Sequence, residues 1–284
     1  MPLPMYVVDA FTDQPFAGNP AGVCVLDGAG WPGEAWMQNV AAEMKHSETA
    51  FLLRPVGDGA WRIRYFTPAV EVALCGHATL GSAHALWDQG HALVDEPIIF
   101  QTHEGKSLTC ERTVDGAIRM DFPADPPSDT EPPVGLLEAL RLDADHIDDT
   151  ATARGRFDVL VRLDNAEAVK VVSPDFVALG RIAVRGVLVT APSGTTPDSR
   201  PADFTSRFFA PASGIDEDPV TGSAHCLLGP YWAQRLGKDE LLAHQASPRG
   251  GVLGVRVRGD RVGLTGRAVT VMVGEWHAPP PSAG

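Results

Sequence analysis

The chain has 284 residues, of which 23 are Lys or Arg and 36 are Asp or Glu, and its formal net charge is -13 at pH 7. Such an acidic composition contains no basic stripe that could neutralise phosphates, which argues against nucleic acid or an anionic membrane surface as a partner. The length suffices for one large or two medium domains with a proper hydrophobic core.

The opening residues, MPLPMYVVDAFTDQPF, contain no basic n-region, and the sequence has no apolar run of membrane-spanning length. The four cysteines are widely spaced without a C-x-x-C pattern, which fits neither a disulfide framework nor a zinc knuckle. These features favour a cytoplasmic protein with reduced thiols at Cys24, Cys75, Cys110 and Cys226.

Strand-like runs dominate the first half of the chain. Apolar or β-branched segments of strand length occur at 6–11, 23–26, 50–53, 61–66, 97–102, 107–112 and 117–122. One helix is predicted to begin near Pro32, since Trp36, Met37, Val40, Ala41 and Met44 then share one face.

The proline-rich and acidic segment 122–133, FPADPPSDTEPP, has almost nothing to bury and indicates a crossover between domains. We therefore expect an N-terminal domain at 1–123 and a C-terminal domain at 124–284, with the last strand a candidate to return to the first. Strands of the second half are predicted at 158–163, 169–172, 186–190, 204–209, 252–258 and 268–273.

An internal repeat is the most informative feature. The segment 64–87, RYFTPAVEVALCGHATLGSAHALW, resembles 207–232, RFFAPASGIDEDPVTGSAHCLLGPYW. Each copy ends in a predicted helix whose residues are small or apolar on nearly every face, and such a helix must be enclosed on most sides. The repeat predicts an α+β fold of two similar β-rich domains, each with a curled, mostly antiparallel sheet around one central helix.

Both predicted central helices begin at a glycine, Gly76 and Gly222, where free backbone N–H groups and the positive end of the helix dipole favour an anion. Two such helix starts related by duplication could hold an anionic substrate in a cleft and stabilise the charge left by a departing proton. The alternative interpretation is a pair of ordinary buried helices with glycine at a crowded start.

Acid and base candidates lie near these helix starts. Glu48 precedes an apolar run, where partial burial would raise its pKa toward the working pH. His77 follows Gly76, and Asp218 precedes the second helix. Each has a structural alternative: a strand-edge glutamate, a core histidine and a helix-capping aspartate. Ser223 is interpreted as an anion-holding hydroxyl, because His225 would point elsewhere on a helix.

Other motifs are set aside. The glycines of 28–33, GAGWPG, match a dinucleotide-binding pattern. However, Pro32 has no backbone N–H to donate to a pyrophosphate, and the acid about twenty positions on, Glu48, precedes its apolar run, whereas the pattern needs an acid at the end of one. A turn is therefore favoured. The nine histidines include no H-E-x-x-H or paired Cys/His spacing, so no metal site is expected. No P-loop or G-x-S-x-G elbow is present.

At these residues the chain resembles the PhzF-like (phenazine biosynthesis) family, which shares the diaminopimelate epimerase fold. The matching segments are 16–23 (FAGNPAGV), 47–51 (SETAF), 66–68 with Glu71, 74–79 (LCGHAT) and 214–224 (GIDEDPVTGSA). The segments occur in the same order as in the family and are spread over most of the chain.

The resemblance implies an isomerase without a cofactor, often a homodimer, that moves a proton on a small carboxylate substrate of the dihydroxyanthranilate type. Glu48 falls on the position of the acid/base that takes and returns the proton. By the same matching, two further residues fall on catalytic positions of the family, His77 and Asp218. Five fall on its substrate-binding positions: Asn19, Ser47, Gly76, Gly222 and Ser223.

Two alternatives stay open. The epimerase branch uses a thiol at each helix start, and here Cys75 occupies the first position but Thr221 the second, which disfavours a symmetric racemase. A Cys75-dependent racemase or dehydratase of an amino acid is nevertheless retained. The third hypothesis is a protein that binds a small carboxylate without turning it over.

Overall fold

The computed structural model describes residues 2–28, 30–55, 57, 59–142, 152–278 and 280. The chain forms two compact units, one comprising Met1–Asp121 with Thr265–Gly284 and the other Phe122–Leu264.

Unit 1 is built mainly from strands. Its elements are β1 (Leu3–Ala10), β2 (Asn19–Leu26), α1 (Glu34–Met44), β3 (Glu48–Leu53), β4 (Trp61–Phe66), β5 (Glu71–Val72), α2 (Gly76–Asp88), β6 (Ile98–Thr102), β7 (Ser107–Arg112), β8 (Ile118–Pro123, within which the unit ends) and β18 (Ala268–Trp276). Strand β18 pairs antiparallel with β1, so the end of the chain belongs to the sheet of unit 1.

Unit 2 follows a similar plan. Its elements are β9 (Ser128–Asp129), α3 (Leu136–Leu140), β10 (Thr152–Arg154), β11 (Asp158–Arg162), α4 (Ala166–Val171), α5 (Phe176–Leu179), β12 (Gly186–Pro192), β13 (Phe204–Ala210), β14 (Ile215–Asp218), α6 (Gly222–Leu236), β15 (Glu240–Gln245), β16 (Gly251–Arg258) and β17 (Arg261–Gly266, within which the unit ends). The segment predicted as a crossover therefore contains β9, which pairs with β10.

The pairing of the strands repeats between the units. In unit 1, β2 runs parallel to β3, β3 antiparallel to β4, β4 antiparallel to β5 and parallel to β6. In unit 2, β11 runs parallel to β12, β12 antiparallel to β13, β13 antiparallel to β14 and parallel to β15. The duplication predicted from the sequence is therefore confirmed at the level of topology.

The repeat extends to a pair of charged side chains. Arg64 on β4 donates to both carboxylate oxygens of Glu71 at 2.7 and 2.5 Å. Arg207 on β13 makes the same two-pronged contact with Glu217 at 2.7 and 2.8 Å. Both arginines are nearly buried, where a two-pronged ion pair satisfies a charge that would otherwise be costly to enclose.

The central helices are enclosed as their composition predicts. Helix α2 packs against β1, β2, β3 and β18, and all of its residues except Gly76, His84 and Asp88 are buried. Helix α6 packs against β15 and β16 and ends at Gly237, whose φ of 67° favours glycine.

Two other predictions have different outcomes. The amphipathic helix near Pro32 is confirmed as α1, which buries Met37, Val40 and Ala41. The strand predicted at 169–172 is wrong, because this segment lies largely in α4. Asn165 caps that helix by accepting from the backbone N–H of Ala168 at 2.9 Å, and only Val169 is buried there, so the cap outweighs the strand propensity of the valines.

Candidate active site

The first cluster of candidate residues lies in unit 1, where two parallel strands begin. Asn19 is the first residue of β2 and Glu48 the first of β3, and in the register of these strands Glu48 pairs with Ala21. Helix α2 begins beside them, with Cys75 as its N-cap residue and His77 in its first turn. The pairing of β2 with β3 thus brings distant parts of the sequence to one end of the sheet.

A chain of polar contacts joins these residues. The Ser47 hydroxyl donates to Asn19 Oδ1 at 3.4 Å, and Asn19 Nδ2 lies 3.2 Å from His77 Nδ1. On the other side of the ring, His77 Nε2 lies 3.3 Å from Glu48 Oε2. Asn19 and His77 are buried, and the Glu48 side chain is 13 % exposed.

The protonation of His77 follows from its surroundings. Burial, with a smaller contribution from the nearby His46, lowers the pKa of His77 to about 3, so the imidazole is neutral at neutral pH. Since the Asn19 amide donates to Nδ1, the single ring proton belongs on Nε2. His77 therefore donates to the Glu48 carboxylate and holds it in a nearly buried position.

Cys75 adds a thiol to the same cluster. Its Sγ lies 3.3 Å from His77 Nδ1 and 4.0 Å from His77 Nε2, and the residue is buried. The helix dipole of α2 favours a negative charge here, whether on the thiol or on a bound anion. One donor atom each from Glu48, Cys75 and His77 lie within 4.8 Å of one another, so these residues could also hold a metal ion.

The second group of candidates lies in unit 2, before and within the first turn of α6. Thr221, the N-cap residue, donates from its hydroxyl to Asp218 Oδ2 at 2.5 Å and makes no side-chain capping bond. Gln245 fixes this segment, because it accepts from the Thr221 backbone N–H at 2.9 Å and donates to the Asp218 carbonyl at 2.8 Å. The structure thus assigns Asp218 a hydroxyl partner on the N-cap residue.

Ser223 has a partner that the sequence analysis missed. Arg185 Nη2 lies 3.2 Å from the Ser223 hydroxyl and also contacts the buried carboxylate of Asp158, to which Arg185 Nε donates at 2.8 Å. Burial is the largest single influence and opposes the charge on Arg185. The hydrogen bond to Asp158 and the negative charges of the nearby aspartates together outweigh it, so the pKa of Arg185 is raised. His225, as predicted, points elsewhere, with Nδ1 2.8 Å from the Thr221 carbonyl.

The strand registers explain how Arg185 could have been found. Thr49 pairs with Phe66 in unit 1, and Val187 pairs with Phe209 in unit 2. Because the sequence repeat aligns Phe66 with Phe209, Ser47 corresponds to Arg185 and Glu48 to Gly186. Arg185 is therefore found from the strand registers together with the repeat, not from the sequence repeat alone. The same alignment also shows that the second copy lacks the glutamate.

Comparisons with known proteins agree with this architecture. Residues 8–274 match the family model described as phenazine biosynthesis-like protein. An uncharacterized isomerase from Halalkalibacterium halodurans is 48% identical over 97% of this chain and 98% of its own length. The crystal structure of a PhzF-family phenazine biosynthesis protein from Enterococcus faecalis is 38% identical, has a TM-score of 0.87, and covers 98% of this chain and 100% of its own.

The duplicated sheet with a central helix in each copy defines a protein of the diaminopimelate epimerase fold class, α+β in composition. A predicted epimerase from Pseudomonas aeruginosa shares this fold, with a TM-score of 0.71 at 23% identity over 98% of this chain and 100% of its own. Within that class, the chain belongs to the phenazine biosynthesis-like (PhzC-PhzF) family.

Among the described residues, no helix combines the length and the apolar character that crossing a membrane requires.

Proposed function

We propose that this protein is an isomerase that moves a proton between two carbons of a small carboxylate substrate, with Glu48 as the acid/base. The observation that carries the proposal is the Glu48 carboxylate itself, which is 13 % exposed and 3.3 Å from the Nε2 of a neutral His77. Relatives of this chain are named isomerases, which supports the reaction class.

The proposed reaction needs no change of oxidation state. Glu48 takes a proton from one carbon, the electron pair of that C–H bond moves into the substrate's π system, and the protonated Glu48 returns the proton to another carbon. His77 is a positioning residue for Glu48. The N-terminus of α2, which begins at Gly76, would stabilise the negative charge on the intermediate. We expect no cofactor, since one carboxylate removes a proton and later delivers one. In heavy water the protonated Glu48 side chain, which is 13 % exposed, exchanges its proton with solvent before delivery, so deuterium enters the product.

The second copy of the repeat is proposed to contain an anion-binding group of residues within unit 2. At the position of Ser47 and Glu48 it has Arg185 and Gly186, and Arg185 lies 3.2 Å from the Ser223 hydroxyl. A guanidinium beside a hydroxyl at a helix start suits a carboxylate. The Gly222 backbone belongs to the same anion-binding group, and Asp218 is proposed as a catalytic acid/base residue. Asn19 and Ser47 are the substrate-binding residues proposed in unit 1.

The test is incorporation of solvent deuterium at carbon, followed by mass spectrometry over a panel of cyclic and amino acids that includes dihydroxyanthranilate. Glu48→Gln should lower turnover about 100-fold to 10,000-fold, because it removes the general acid/base without changing the side chain's size. Cys75→Ser is the matched control and should retain turnover. No exchange by the wild-type protein across the panel would favour the third hypothesis, a protein that only binds the carboxylate.

The second candidate is a Cys75-dependent racemase or dehydratase. The contact of 3.3 Å between Cys75 Sγ and His77 Nδ1 favours it, since an imidazole next to a thiol at a helix start can support a thiolate base. The same two variants separate the candidates: loss of turnover in Cys75→Ser with retention in Glu48→Gln would replace the first proposal by the second.

Three further expectations accompany the proposal. The acidic composition supports a small-molecule substrate over nucleic acid or a membrane surface. The family resemblance supports a homodimer. Cytoplasmic localisation stays a prediction from the sequence.

A further inference from the structure

Three different kinds of metal-ligating group converge in unit 1. Glu48 provides a carboxylate from the start of β3, Cys75 a thiol from the N-cap of α2, and His77 an imidazole from its first turn. Their donor atoms lie within 4.8 Å of one another, and none of the three side chains is exposed. This arrangement is invisible to a search for local ligand spacing, because Glu48 is 27 residues before Cys75 in the sequence.

The separations are close to those of a zinc site. Tetrahedral Zn²⁺ with bonds of about 2.3 Å to sulfur and about 2.0–2.2 Å to nitrogen and oxygen places its ligand atoms roughly 3.3–3.6 Å apart. Here His77 Nε2 lies 3.3 Å from Glu48 Oε2 and 4.0 Å from Cys75 Sγ. The Cys75 thiol has to move toward Nε2 to complete the site, since its Sγ lies nearer Nδ1, at 3.3 Å.

We propose that Glu48, Cys75 and His77 form a binding site for Zn²⁺, with a fourth coordination position for water or another ligand. A thiolate and a carboxylate together carry two negative charges, which match those of the ion, and the mixed sulfur, nitrogen and oxygen set suits Zn²⁺ over Mg²⁺ or Ca²⁺. Binding releases the thiol proton of Cys75 to solvent.

The neutral imidazole would coordinate through Nε2 and carry its proton on Nδ1. The Asn19 side chain, 3.2 Å from Nδ1, then accepts that proton's hydrogen bond once its amide is turned so that Oδ1 faces the ring. Ligating histidines of zinc sites donate their other ring N–H to an oxygen acceptor in this way.

Zinc occupancy would regulate the proposed reaction, and this part of the inference rests on the proposed function. A Glu48 oxygen bound to Zn²⁺ can no longer take a proton from carbon, so the ion and the substrate compete for Glu48. The metal would therefore act as a reversible inhibitor of the same site.

Binding is tested without substrate, using Co²⁺ as a spectroscopic probe and Zn²⁺ as its competitor. The wild-type chain should bind one Co²⁺ with a thiolate-to-metal charge-transfer band in the near ultraviolet, and Zn²⁺ should displace it. Cys75→Ala should abolish the band. His77→Ala and Glu48→Gln should each weaken Zn²⁺ binding by about 10-fold to 100-fold.

The matched control is Cys110→Ala, which removes a buried thiol from β7 outside the cluster and should leave the band and the affinity unchanged. Circular dichroism confirms that each variant is folded. Absence of the band in the wild type, or equal Zn²⁺ affinity in the wild type and Cys75→Ala, would overturn the proposal.

The inhibition is read separately from the binding. Deuterium exchange by the wild-type protein should fall as Zn²⁺ is added and recover fully with a chelator. At substrate concentrations well below KM, half-inhibition should occur at the Zn²⁺ affinity measured by Co²⁺ competition, and more substrate should raise the half-inhibiting concentration. If Zn²⁺ binds without inhibiting deuterium exchange, the proposed metal site stands but its regulatory role is overturned. A protein without isomerase activity would still give the cobalt result, so failure of the proposed function is recognised independently.

Discussion

Burial of imidazole rings controls charge at single residues of this protein. His77 is kept neutral in this way, which makes it a hydrogen-bond donor to Glu48 and not a cation. His225 is a second fully buried ring, and burial lowers its pKa to about 4 although a bond to the Thr221 carbonyl opposes the shift. Its Nε2 is buried without a hydrogen-bond partner among the described residues.

We predict that His225 makes the folded state sensitive to acid. Its pKa is about 4 when folded and about 6.5 when unfolded. Between these values the unfolded chain binds the extra proton, so stability falls as the pH falls through this window. From pH 7 to pH 5 this histidine should cost about 2 kcal/mol of unfolding free energy.

The measurement is urea unfolding of the wild type and His225→Asn at pH 7, 6 and 5. Asn keeps a donor near the Thr221 carbonyl but does not titrate, so the variant should lose about 2 kcal/mol less than the wild type over this range. Parallel curves for the two proteins would show that the ring is not held neutral.

At the scale of the elements, close packing decides which substitutions the two central helices tolerate. Each central helix contains an interior glycine, Gly81 in α2 and Gly229 in α6. A Cβ at Gly81 would lie 3.5 Å from Val8, an ordinary contact, whereas one at Gly229 would lie 2.8 Å from Val255 Cγ1. The first glycine therefore has room for a methyl group and the second does not.

The two glycines should respond oppositely to alanine. Gly81→Ala should stabilise the protein by about 0.5–1 kcal/mol, because alanine reduces the freedom of the unfolded chain and favours the helix. Gly229→Ala should destabilise it by about 1–3 kcal/mol through overpacking against β16. Thermal unfolding of both variants provides the comparison. A stabilised Gly229→Ala would mean that the Val255 side chain moves aside at little cost.

At the scale of the whole molecule, the two ends of the chain combine in one sheet. Strand β1 lies between β2 and β18, and it buries Val8 and Ala10 completely. Helix α2, which positions Cys75 and His77, also packs on β18. The candidate site of unit 1 therefore depends on the last strand of the chain.

Removal of β18 should unfold unit 1. A chain ending at Arg267 exposes the edge of β1 and uncovers part of α2, so we expect loss of near-ultraviolet circular dichroism and of a cooperative thermal transition. The control is Val273→Thr, a change at an exposed position of β18 that should alter stability by less than about 0.5 kcal/mol. A truncated chain with a native-like transition would contradict this dependence.

Much of the fold was predictable because its signals are local or repeated. Strands β4 and β7 were predicted with their observed bounds, since their apolar residues are bounded by turn residues. Strands β15 and β17 were missed, because polar and glycine residues interrupt their apolar pattern. Burial decided the outcome there: Leu241 and Ala243 of β15 are covered, and so are Val262 and Leu264 of β17.

The sequence by itself determined the duplication, the two helix starts and the identity of Glu48, His77 and Cys75 as candidates, because repeated patterns and residue types are written along the chain. Only the tertiary structure decided which of them meet. The parallel register of β2 and β3 brings Asn19 and Glu48 to the start of α2, and that of β11 and β12 brings Arg185 to Asp158 and the helix start at Ser223. Strand pairing joins residues far apart in sequence, and no local pattern records that distance.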